Sequence, residues 1–241
     1  MSKHNTEEGP NAAGKAGASK VLAECLSLDP KNVLDNPFLI ARTGLIAKLL
    51  LLADLSERIK SVPGDVIEFG VWYGQTLILL ENLRAINEPF NFSRNFFGFD
   101  TFEGYRESSG LNIKEEEQQK YDTGLGWADD LKRLFDAHVS MNRSLTELNL
   151  VPGDVTKTVP DFFSSYENFV ALSYIDIATY QTTNVVLSHL IPFVPTGGII
   201  VIDDFGPQYP GVSKALHGCD LNDFSFEVCP FYPSKVMLIR R

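Results

Sequence analysis

Cysteine is scarce in this chain of 241 residues. Cys25, Cys219 and Cys229 lack the paired spacing of a zinc site, and their odd number prevents complete pairing. Buried thiols in a reducing compartment are therefore the expectation. Long apolar runs are missing too. The strongest, residues 45–55, contains Lys48 and Asp54 and is too short to cross a bilayer, so no membrane partner is expected. The N-terminus has no signal-peptide-like apolar core, which points to a cytoplasmic protein. Positive charge is in deficit: 21 Lys and Arg against 31 Asp and Glu leave a formal charge of −10. That balance argues against a nucleic-acid surface and for a soluble protein acting on a small molecule. Two signatures of dinucleotide enzymes are absent as well. The glycine-rich loop has no third glycine, and no Tyr-x-x-x-Lys pair occurs.

What is present is an alternation. Residues 1–20 are polar and rich in Gly, Ala, Asn and Glu, and read as a disordered tail. Residues 21–60 form an N-terminal helical segment, with a short helix at 21–28 and a longer one at 38–60. From 61 to 241, strand patterns at 66–69, 96–99, 148–151, 170–175 and 199–202 alternate with helical ones. A closing pair of strands lies at 224–228 and 235–239. This order predicts an α/β fold: a doubly wound, mostly parallel seven-stranded sheet with an antiparallel C-terminal hairpin. Residues 105–128 break the alternation. They are polar, hold the run Glu115-Glu116-Glu117, and read either as a lid beside the site or as a solvated loop with a short exposed helix.

Chemistry concentrates where strands end. Val66-Ile67-Glu68-Phe69-Gly70-Val71-Trp72-Tyr73-Gly74 places an acid at the end of the first strand and two glycines just beyond it. Gly70 and Gly74 allow a sharp turn and a close approach of backbone to ligand. Glu68 sits where ligands bind open α/β sheets and can orient a cationic amino group. This unit looks like the opening of a class I S-adenosylmethionine (SAM) methyltransferase. Asp100, in Phe99-Asp100-Thr101-Phe102-Glu103-Gly104, ends the second strand. It is read as accepting ribose hydroxyls or, alternatively, as a helix N-cap together with Thr101. Asp154 and Val155 follow the third strand. They are read as contacts to adenine, with a Pro-Gly-Asp turn as the alternative.

Asp176 ends the fourth strand, and Asp203 and Asp204 end the fifth. Adjacent parallel strands bring these ends together, and three carboxylates raise one another's pKa unless a cation joins them. All-oxygen ligands suit Mg2+. The alternative is that one Asp caps the next helix while the others are solvated.

The chain resembles the macrocin O-methyltransferase family, metal-dependent enzymes that methylate sugar hydroxyls of natural products. The words that carry the resemblance are Val62-Pro63-Gly64-Asp65-Val66-Ile67-Glu68-Phe69-Gly70-Val71-Trp72, Asp100-Thr101-Phe102-Glu103-Gly104, Asp176 with Tyr180-Gln181-Thr182-Thr183, and Gly197-Gly198 through Asp203-Asp204-Phe205-Gly206. The resemblance implies SAM, Mg2+ on Asp176, Asp203 and Asp204, and a homodimer or higher oligomer. One position departs from it. The family pattern places a second Asp, the general base, two residues after the first, and here that position is Ala178. Another residue then acts as base, or the acceptor needs none, or SAM is bound without transfer. Of the nearby histidines, His217 is the candidate base and His189 reads as a packing or surface residue.

Overall fold

The computed structural model describes residues 36–39, 41–105, 121–124, 126–142, 144–207 and 209–241. The tail expected at 1–20, the short helix at 21–28, Cys25 and residues 106–120 of the insertion lie outside them. The chain divides into two compact units, Met1–Ala47 and Lys48–Arg241. The described part of the first holds a one-turn 3-10 helix, Pro37–Leu39, and the opening of helix α1, Thr43–Ile59. The remainder of the fold belongs to the second unit.

Seven strands make one sheet. They are β1 (Asp65–Phe69), β2 (Phe96–Asp100), β3 (Leu148–Pro152), β4 (Val170–Ile175), β5 (Ile199–Ile202), β6 (Phe224–Cys229) and β7 (Tyr232–Arg240), in the order β3-β2-β1-β4-β5-β7-β6. The first five are parallel, and β7 pairs antiparallel with both β5 and β6. The expected doubly wound sheet with its terminal hairpin is what forms. β7 runs longer than its apolar core of 235–239 suggests, because pairing with β6 carries the ladder from Tyr232 to Arg240, beyond the 236–239 stretch that also pairs with β5. The helices between strands are α2 (Gln75–Asn87), α3 (Trp127–Met141), α4 (Val155–Ser165), α5 (Tyr180–Leu190) and α6 (Pro210–Gly218).

The strands β1, β4 and β5 are buried along their whole length, which is why they are rich in apolar residues and show no strict alternation. Two cores result. Leu51 and Leu55 of α1, Leu77 and Leu80 of α2, and Leu131 and Phe135 of α3 pack against Val66, Phe96, Leu172, Val201 and Met237. Val159 of α4, Leu187 of α5 and Val212 of α6 pack against Ile67, Phe99, Ile175, Ile202 and Leu238 on the other face. Helices thus cover both faces and leave the carboxyl edge of the parallel strands for the loops. Among the described residues, no helix is long and apolar enough to cross a membrane.

Candidate active site

The pairing register lays out the site before any side chain is considered. Phe69 stands opposite Ile175, Ile175 opposite Ile202, and Ile202 opposite Val236. One step further along each strand, the same row reads Gly70, Asp176, Asp203, Lys235. The ladder continues into that row, with Asp176 N–H donating to the Phe69 carbonyl at 2.8 Å and Asp203 N–H to the Ile175 carbonyl at 2.9 Å. One step back, the row is Glu68, Tyr174, Val201, Met237. Tyr174, Val201 and Met237 belong to the core beneath α1 and α2, so Glu68 faces the same side.

A cleft of about 760 Å3, its open mouth included, lies along this edge. Its lining joins four strand ends: Gly70, Asp100 with Thr101, Asp154 with Val155, and Asp176. Gly70 has φ +86°, and a Cβ there would lie 2.1 Å from the Asp176 carbonyl oxygen, so no other residue fits. Asp100 is not a helix cap. One carboxylate oxygen accepts the Val71 and Trp72 N–H groups, both at 2.7 Å, and the other accepts Phe102 N–H at 2.8 Å. The carboxylate therefore ties the β1 and β2 loops together and stands at the cleft wall with acceptor capacity remaining on its second oxygen. Asp154 caps α4, accepting from Thr156 N at 2.9 Å and Thr156 Oγ1 at 2.8 Å, while it also lines the cleft. The turn and site readings of Asp154 are thus compatible. Gly74 does not line the cleft. At φ +77° it starts α2 where a Cβ would strike Leu131 at 2.3 Å, so its role in this geometry is packing against α3.

Asp176, Asp203 and Asp204 each present an oxygen within 4.8 Å of the others. Three hard oxygen donors at this spacing fit a divalent ion such as Mg2+. The charges are poorly offset. Burial, and secondarily the neighbouring Asp176, pushes the Asp204 carboxyl up to about 6, against a hydrogen bond from Tyr209. Asp176 is exposed as a residue, yet its carboxyl is raised by loss of water around it, against the pull of Lys235 and Lys48. Asp203 is the best satisfied. Its Oδ2 accepts the Tyr174 hydroxyl at 2.7 Å and its Oδ1 is ion-paired with Lys235. Glu68, 3% exposed, is pushed up to about 8, chiefly by burial and against the pull of Lys48 and a hydrogen bond with Thr76. Its Oε2 has no hydrogen-bond partner among the described residues. A buried carboxylate oxygen without a donor suits a cationic ligand group.

The family pattern of the macrocin O-methyltransferases (TylF) matches residues 41–219. The chain belongs to that family. A tetracenomycin-C derivative 4'-O-methyltransferase of Streptomyces olivaceus, acting on a dimethoxy-rhamnosyl compound by its name, is 26% identical over 146 residues. The mycinamicin III 3''-O-methyltransferase of Micromonospora griseorubida is 25% identical over 163. These alignments take in 60% and 65% of this chain and 54% and 60% of the relatives, so the chain spans little more than half their length. Among solved structures, CalS11, a calicheamicin methyltransferase, superposes with a TM-score of 0.83 at 27% identity, over 96% of this chain and 93% of that one. The O-methyltransferase NovP has the same fold, with a TM-score of 0.62 at 22% identity, over 81% and 80% of the two chains.

In this macrocin O-methyltransferase family member several site features escape a reading by sequence. Among the described residues, three other than glycine have positive φ: Trp72 at 51°, Phe102 at 57° and Ala178 at 50°. All three lie just past the ends of β1, β2 and β4, where local strain clusters at functional loops. Half-exposed aromatics flank the cleft, with Trp72 4.9 Å from Tyr73 and 6.1 Å from Tyr121, and Tyr105 5.4 Å from Tyr121. Lys48, Tyr174 and Lys235 complete the charged edge. A lysine opening the apolar stretch 235–239 was the available signal for the last of them. His217 does not line the cleft. It is exposed, and its Nδ1 lies 2.6 Å from the Ser213 carbonyl one turn back. His189 bonds in the same way to the Val185 carbonyl at 2.9 Å.

Proposed function

We propose that the chain transfers the methyl group of SAM to an oxygen of a small metabolite, a sugar-bearing natural product being the class its relatives name. The observation that carries the reading is the convergence of Gly70, Asp100, Asp154 and Asp176 from four strand ends on one cleft. Asp100 would take the ribose hydroxyls, Asp154 and Val155 would border the adenine, and Glu68 would answer the methionine amino group from beneath Gly70. Asp176, Asp203 and Asp204 would hold Mg2+, which when bound would supply positive charge to acidify the acceptor hydroxyl. The chain's own part is alignment. Gly70 lets the donor approach the backbone, Asp100 braces two loops against each other, and the aromatics around Trp72 limit water at the cleft mouth. A homodimer or higher homo-oligomer and a cytoplasmic location belong to the same proposal.

Ala178 supports a second reading, that of a SAM-binding protein without transferase activity, because an Ala side chain takes no proton. Calorimetric titration beside a methyl-transfer assay separates the two. SAM binding is expected in the wild type, weakened at least about 30-fold by Asp100→Ala, in line with the loss of two charge-assisted hydrogen bonds. Unchanged affinity in a folded Asp100→Ala variant would sink the site assignment. Binding without transfer across a panel of sugar acceptors would favour the second reading.

A further inference from the structure

Lys235 is the one member of the strand-end row that carries the wrong charge for a metal cage. The register sets it beside Asp203, where its ammonium is ion-paired with Oδ1. The Tyr174 hydroxyl holds Oδ2 of the same carboxylate at 2.7 Å, so both Asp203 oxygens are engaged by the chain itself. The Lys235 ammonium also lies 4.8 Å from the centre of the Tyr232 ring, and its side chain is only 12% exposed. It is a seated cation, not a solvated tip. Asp176 and Asp204 each place an oxygen within 4.8 Å of one on the same Asp203, and the ammonium that pairs with Asp203 also attracts Asp176.

We propose that Lys235 is a tethered counter-ion of the acidic trio, one that a divalent ion must displace in order to bind. The inference rests on the metal reading given above and deepens it. A monovalent cation fixed to the scaffold needs no recruitment, so it holds the trio together whenever the ion is away. A divalent ion carries twice the charge and can coordinate all three acids at once, but it must first move the ammonium from Asp203. Two like charges a few ångströms apart in a half-buried site cannot share one carboxylate group cheaply. Metal affinity is thereby weakened, and occupancy becomes responsive to the concentration of free ion.

The test is Mn2+ binding to the full chain at fixed pH, read from the free-ion electron paramagnetic resonance signal. Removing a unit charge at this range predicts that Lys235→Met binds Mn2+ at least about tenfold more tightly than wild type. Lys235→Arg, which keeps the charge, should stay within about threefold of wild type by the same reasoning. An unchanged or weaker affinity in Lys235→Met overturns the proposal while leaving the metal reading in place. Failure of every form to bind Mn2+ overturns both. Should Lys235→Met not fold, the wild type gives its own answer. Reductive methylation of Lys235, followed by peptide mass spectrometry, should speed up severalfold when Mn2+ saturates the site. Unchanged labelling would mean that ion and ammonium coexist, and the proposal would be wrong.

Discussion

Arg94 and Glu68 are both ionisable, both nearly sealed from solvent, and sit at opposite edges of the same sheet. Arg94 stands before β2. Its guanidinium donates to Glu88 Oε2 at 2.9 and 3.1 Å and to the carbonyls of Gly64, Ile59 and Val62 at 2.7 to 3.0 Å. Nearby Arg84 is bound as fully, holding Glu81 with two hydrogen bonds. Asp65, at the start of β1, accepts from Asn95 N, the Tyr166 hydroxyl and Asn168. Glu68 lies at the far end of that strand and leaves an oxygen unmatched. At the amino edge each buried glutamate is paired with an arginine, although Glu88 Oε1 too has no hydrogen-bond partner among the described residues, whereas Glu68 at the carboxyl edge has no ion pair among them. A charge that the fold buries without balancing is stabilised only when something else arrives, so the imbalance marks the side on which ligands are received.

Breaking the balanced edge should cost the most. Arg94→Met leaves Glu88 buried without its cation and takes a donor from three carbonyls, of which Ile59 keeps the Val62 N–H. Urea denaturation should show a loss of about 3–5 kcal/mol, with SAM binding intact in the folded fraction. A loss below 1 kcal/mol would mean that the ion pair is not holding that edge.

The unbalanced edge should respond in the opposite sense. Glu68 in the folded chain keeps its proton to about 8, whereas the unfolded chain loses it near 4.5. Between those values the folded state binds the additional proton, so stability falls as pH rises through that window. Glu68→Gln should remove this slope, making the variant more stable than wild type at pH 8 by on the order of 4 kcal/mol and similar to it at pH 4.5. Parallel slopes for the two proteins would show that Glu68 is not held protonated. If a ligand ammonium docks there, SAM binding by the wild type at pH 7 releases up to one proton. Calorimetry in buffers of different ionisation enthalpy measures it, and Glu68→Gln should not release it.

The smallest effect is expected at Ala178. Its φ of 50° suits Asp, which tolerates the left-handed region, and penalises a β-branched residue. Ala178→Asp should leave stability within about 0.5 kcal/mol, while Ala178→Val should lose about 1 kcal/mol or more in thermal melts. The folded Ala178→Asp variant then reports on the acceptor. A faster methyl transfer at neutral pH identifies a neutral alcohol that lacked a base, and a slower one identifies an acceptor that is already anionic.

Much of this was legible in the chain. Apolar-rich runs mark all seven strands within a few residues, and an acid at the end of each of the five parallel strands marks the carboxyl edge. What stayed hidden depends on partners remote in sequence. Lys235 reaches Asp203 across 32 positions because β7 runs antiparallel to β5, and Asp100 finds its N–H donors 28 and 29 residues back. The positive φ values of Trp72, Phe102 and Ala178 carry no compositional mark, since none of the three is glycine. Gly74 illustrates the converse: a glycine beside a ligand loop whose side-chain space is taken by Leu131 of a packing helix.

The sheet order has a consequence for how the molecule comes into being. β6 is made before β7, yet its neighbour in the sheet is β7, which inserts between it and β5. As the chain emerges from a ribosome, β5 exposes an open hydrogen-bonding edge and β6 has nothing to pair with until β7 follows. The strand that closes this gap also delivers Lys235 to Asp203. Completion of the sheet and neutralisation of its acidic edge are therefore a single late event, and a nascent chain stalled before Tyr232 would carry the acids without their counter-charge.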